Sequence, residues 1–132
     1  MHKLLTNTDF SASHWQDFFD EILTVADAST LEKFIAQSPT IWLCTAIKEW
    51  PDLLKQLSAK GMDVAVLAMA PSLEEAKLAL GHGARAYLQA TASTELLNNV
   101  KTTLEAGGYW LPNDLLLHLV GQFNSLMSNA QP

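Results

Sequence analysis

Short apolar runs and segments of helical period alternate five times along the chain. Lys3 to Thr6 reads as a strand. Ser11 or Ser13 then caps a helix whose Trp15, Phe18, Phe19 and Ile22 recur at i, i+3, i+4 and i+7, a single apolar stripe. Ile22 to Ala26 reads as the second strand. A helix follows Ser29 or Thr30, turning Leu31, Phe34 and Ile35 inward before Pro39. Ile41 to Thr45 is apolar almost throughout, as a strand covered on both faces should be. Pro51 suits the first turn of a third helix, with Leu53, Leu54 and Leu57 inward and Gly61 as its stop.

Val64 to Met69 is the fourth strand. Ser72 and Glu75 stand at capping-box spacing before a fourth helix that stops at Gly81 to Gly83. Ala86 to Leu88 is the fifth strand. The fifth helix carries Leu96, Leu97, Val100 and Leu104 inward and ends at Gly107 and Gly108. Pro112, Asn113 and Asp114 open a sixth, with Leu115, Leu116, Leu119, Val120, Phe123, Leu126 and Met127 on a wide apolar face. Ser128 to Pro132 read as a frayed tail.

Such alternation with short connections predicts a parallel sheet with right-handed crossovers and helices on both faces. Five strands fit the flavodoxin-like, doubly wound order 2-1-3-4-5, here with an extra C-terminal sixth helix. The expected organisation is an α/β domain over 1–110, an amphipathic helix or linker over 111–128 and a tail over 129–132. A site in such a sheet belongs at the carboxyl ends of strands one and three, where the order reverses. Asn7, Thr8, Asp9 and Thr45 stand there.

Composition narrows the function classes. At 132 residues and 48% hydrophobic content the chain can bury one core. Its longest near-continuous apolar run, Val64 to Ala70, is far short of a membrane span, and the N-terminus has no apolar signal segment. A single cysteine excludes an internal disulfide framework, which makes the cytoplasm the expected setting. A net charge of −6, with Arg85 the only arginine, argues against direct binding of nucleic acid.

The stretch "VAVLAMAPSLEEAKLALGHGARAYLQATASTELLNNV", continued by "LEAGGYWLP", resembles the receiver domain of response regulators of the LuxR/NarL type. The resemblance covers residues 3 to 120 and is more specific in the second half. It implies a two-component signalling origin and a phosphorylation site, but that site is degenerate. The family's paired magnesium-binding acids fall on Asn7 and Thr8, with Asp9 one place on. Its phosphoacceptor aspartate falls on Thr45, its switch hydroxyl on Ala68 and its lysine on Gln89 or Ala90. Magnesium wants carboxylate oxygens, and an aspartyl phosphate needs a carboxylate nucleophile. No shift of one or two residues restores the set.

Other groups fit ordinary structural roles. Cys44 closes a buried strand as a small hydrophobe. Asp9 suits a helix cap. His2, His14, His82 and His118 share no metal-ligand spacing, and His82, between two glycines, is expected at the surface. Trp110, before Leu111, Pro112 and Asn113, matches half of a motif by which some degenerate LuxR-type receivers bind cyclic di-GMP. The arginine of that motif is Asn113 here, so Trp110 reads instead as packing beneath the last helix, which Pro112 starts.

These features imply a non-enzymatic, phosphorylation-independent pseudo-receiver that needs no metal or cofactor. It would act by homodimerisation or partner binding, with a helix-turn-helix half beyond this chain. The alternatives are a stand-alone adaptor or a cyclic di-GMP sensor. The family's interaction face includes Glu74, Lys77, Arg85 and Tyr87, and the sixth helix adds Leu119 and Phe123.

Overall fold

The computed structural model describes residues 2–7, 14–24 and 40–130, with side chains of the last helix described up to Gln122. Thr8, Asp9, Ser11, Ser13 and the helix expected after Ser29 or Thr30 lie outside the described residues. The strands are β1 His2–Thr6, β2 Glu21–Thr24, β3 Thr40–Cys44, β4 Asp63–Ala68 and β5 Ala86–Gln89. The described helices are α1 Trp15–Phe18, α2 Trp50–Ala59, α3 Leu73–Gly81, α4 Thr94–Glu105 and α5 Asn113–Ala130, the last being the extra C-terminal helix. All pairings are parallel and the sheet order is β2-β1-β3-β4-β5. The flavodoxin-like topology is as the alternation predicts.

Strand periodicity sorts the core into two layers. Leu5, Ile41, Leu43, Val64, Val66 and Tyr87 face one side, which Leu54 and Leu57 of α2, Ala76 and Ala79 of α3 and Leu115 of α5 cover. Leu4, Trp42, Ala65, Leu67 and Leu88 face the other, beneath Trp15 of α1 and Leu97, Val100 and Leu104 of α4. Fully burying one such side chain contributes about 1.5–3 kcal/mol. Strands β1 and β3 are buried from end to end, which is why alternation is absent from their sequences.

Local chemistry sets the boundaries. Ser72 accepts the Glu75 amide and Ser93 the Leu96 amide, capping α3 and α4. Gly83 adopts φ +107°, and a Cβ there would collide with the Ser58 hydroxyl, so the turn into β5 requires glycine.

Three expectations need correction. First, the apolar stripe from Trp15 to Ile22 is not one helix. After a single turn, Phe19 is extended, its amide closing on the Trp15 carbonyl at 2.9 Å. Asp20 then donates its amide to the His2 carbonyl at 2.9 Å, and its carboxylate accepts the His2 amide at 2.7 Å. Those bonds draw the chain into the β1–β2 ladder, and Ile22 lies in β2. Second, Ser128 to Ala130 continue α5 instead of fraying. Third, Trp110 packs in the layer of α1 and α4, on the opposite side of the sheet from Leu115. It extends the sheet by one rung: its amide reaches the Arg85 carbonyl at 2.9 Å and its carbonyl takes the Tyr87 amide at 3.2 Å.

No helix among the described residues is long and apolar enough to cross a membrane.

Candidate functional site

The carboxyl ends of β1, β3, β4 and β5 bring Asn7, Thr45, Ala68 and Gln89 to one edge of the sheet. Thr45 and Asn7 have structural occupations there. The Thr45 hydroxyl accepts the Met69 amide at 2.9 Å, and the Thr45 amide donates to the Leu67 carbonyl at 2.9 Å. The loop after β3 is thereby pinned to the loop after β4. From the other side, the Asn7 carboxamide donates to the Ala46 carbonyl at 3.3 Å. A residue with a side-chain N–H can make that bond and a carboxylate cannot.

The remaining positions carry no charged side chain. Ala68 is buried in the α2–α3 layer. Ala90 is buried in the opposite layer, where an ammonium would be desolvated, and its amide continues the ladder to the Ala68 carbonyl at 2.8 Å. Gln89 is exposed. Among the described residues, no group of three or more His, Cys, Asp or Glu side chains could hold a metal ion. Cys44, beside Thr45, is fully buried, and burial pushes its thiol above the ordinary range despite hydrogen bonds involving Ala46 and Thr6. A protonated, enclosed thiol is a poor nucleophile.

Tyr87 lies next to this edge. Its hydroxyl accepts the Ser72 amide at 3.2 Å and donates to the Glu75 carboxylate at 2.8 Å. The Ser72–Glu75 capping box read from the sequence is thus completed through a tyrosine from another strand. Burial, the largest influence, pushes the phenol well above its usual range, and Glu75 adds to the shift, while the Ser72 amide opposes it.

The residues anticipated as an interface separate into two groups. Glu74 and Lys77 are exposed. Tyr87 is buried, and Arg85 is committed: it pairs with Asp63 at 2.9 Å, donates to the Gly107 and Gly108 carbonyls and lies 4.7 Å from the Tyr109 ring centroid. Leu119 is half-buried against the α2–α3 layer. The side chain of Phe123 lies outside the described residues. Trp110 is half-buried, and His82 is half-buried where exposure was expected. The outward apolar residues of α5 are instead Leu116, Leu117 and Val120, at 43%, 70% and 55% exposure.

Sequence reasoning missed His14. Its Nε2–H donates to the Ala92 carbonyl at 2.8 Å and ties the start of α1 to the loop after β5. Histidine read only for metal spacing hides such a role.

No protein-family model matches the chain, and no curated protein matches it. Among solved structures, it is similar to the crystal structure of a response regulator from Thermotoga maritima, with a TM-score of 0.56 and 16% identity over 76% of this chain and 94% of that one. The fold is a receiver fold. At that identity the likeness concerns architecture, and the chemistry has to be read from this chain's own residues. Thr45 stands where β3 ends, with its hydroxyl engaged by the Met69 amide and its amide by the Leu67 carbonyl.

Proposed function

We propose that this chain is a receiver-like regulatory domain, the N-terminal part of a cytoplasmic transcription factor of the LuxR type. It acts through protein contact and not through phosphoryl transfer. The observation that carries this reading is Thr45: it has a hydroxyl where the chemistry needs a carboxylate, and that hydroxyl is engaged by the Met69 amide. The sequence resemblance supplies the LuxR assignment, and the exposed Leu116, Leu117 and Val120 support contact with a second copy or a partner. Residues 1–110 form the receiver-like unit. The segment beyond them enters the same core through Leu111, ahead of the last helix, and through Leu115 of α5, whose outer face is exposed. Incubation with acetyl phosphate, or with beryllofluoride and magnesium, tests the absence of phosphoryl chemistry by intact mass and thermal shift. Neither should change; a stoichiometric phospho-adduct would falsify the reading.

A further inference from the structure

At the amino end of the sheet, opposite the edge just described, His2 is 4% exposed. The Trp42 indole N–H donates to His2 Nδ1 at 2.9 Å. An indole nitrogen only donates, so Nδ1 is bare and the ring's proton sits on Nε2, 3.5 Å from the Glu105 carboxylate. Phe18 and Phe19 complete the cluster, with ring centroids 5.4 and 5.3 Å from Trp42. The ring therefore joins β1, the fully buried Trp42 of β3 and the last turn of α4.

We propose that His2 is a proton-operated latch: neutral, it holds both Trp42 and Glu105, and protonated, it releases Trp42 and keeps only Glu105. A proton on Nδ1 would place two N–H donors against each other at 2.9 Å, so the ring must turn or withdraw. The Nε2–H bond to Glu105 survives and gains charge assistance. The change falls on the packing at the end of α1, since Phe18 and Phe19 both pack edge-on against the same indole and Phe18 also meets the His2 ring.

The charged groups around the ring set where the latch opens. Burial comes first and disfavours the imidazolium; Lys101 of α4 and the amino-terminal charge act in the same direction, and Glu105 opposes them. Asp20, in the turn before β2, takes the His2 amide. The net result lies below the ordinary histidine value of 6.5. The folded chain thus binds fewer protons than the unfolded chain below that value, so the latch is closed at neutral pH and opens as acid takes the pH below 6.5.

The test follows the Trp42 indole N–H by 15N NMR through an acid titration, with Trp42→Phe for assignment and circular dichroism to show that the chain stays folded. Wild type should show one transition centred below pH 6.5, and His2→Gln, which can still accept from Trp42 but cannot titrate, should be flat. Should His2→Gln not fold, two variants on α4 decide: Lys101→Met should raise the midpoint and Glu105→Gln should lower it. A flat wild-type signal overturns the proposal, as does a transition that persists in His2→Gln or midpoints that ignore both helix variants.

Discussion

The Tyr87 hydroxyl donates to Glu75 at 2.8 Å, and that one bond links the centre of β5 to the first turn of α3. Because the same oxygen accepts the Ser72 amide, the phenol serves as part of the helix cap. Tyr87→Phe removes both bonds while keeping the ring's packing. A loss of about 1 kcal/mol is expected, measured by urea unfolding, since water can reach exposed Ser72 in the variant. An unchanged midpoint would mean that the relay is cosmetic.

Alkaline stability should depend on the same residue. The Tyr87 phenol is raised in the folded chain, so the folded state keeps its proton where the unfolded chain gives it up. Stability from this group is full below about pH 10 and declines as pH rises above it. In Tyr87→Phe that part of the decline should vanish, which thermal unfolding at a series of alkaline pH values can check.

Thr45→Val deletes the acceptor for the Met69 amide at nearly constant volume. About 1 kcal/mol of stability should go. Thr45→Asp provides a carboxylate, but Asn7, Ala68 and Gln89 at the same edge supply no second one, so magnesium should raise its melting temperature no more than it raises that of wild type. A magnesium-dependent rise specific to the aspartate variant would point to a cation site that needs only residue 45.

The last helix has an inner and an outer face, and they should respond differently. Leu115→Ala opens a hole in a fully packed layer and should cost about 2–4 kcal/mol. Leu117→Glu, at a position 70% exposed, should leave the melting temperature within a degree or two of wild type while lowering the dimer fraction in sedimentation. A wild-type chain that stays monomeric at high concentration refutes self-association by this face and leaves contact with a different partner as the reading to pursue.

Arg85→Lys should not be tolerated as a conservative change. The guanidinium serves Asp63, two carbonyls at the end of α4 and the Tyr109 ring, and an ammonium cannot span them. A loss of about 1–2 kcal/mol is expected. Faster amide exchange at Trp110 would locate the damage.

The fold was legible because a buried parallel sheet writes itself as uninterrupted apolar runs, seen in Ile41 to Cys44 and Val64 to Ala68. Caps such as Ser72 and stops such as Gly83 are equally local. The first helix misled because Trp15, Phe18, Phe19 and Ile22 satisfy a helical period by coincidence, while non-local bonds between Asp20 and His2 decide the backbone. That Asn7, Thr45, Ala68 and Gln89 meet at one edge followed from the strand order. The hydrogen bonds made there could not be read, because Thr45 to Met69 and Asn7 to Ala46 join residues 24 and 39 positions apart. For the surface, an amphipathic pattern shows that α5 has an apolar arc but not which part the core claims; Leu119 turned inward and Leu117 outward.

Trp110 has one more consequence. Its main chain occupies the outward amide of Tyr87 and the outward carbonyl of Arg85, the groups through which a foreign strand would dock on β5. At those rungs the border of the sheet is already sealed by the chain's own continuation. A foreign strand therefore finds no free pairing group at that end of β5, and edge-to-edge growth of the sheet through those rungs is blocked.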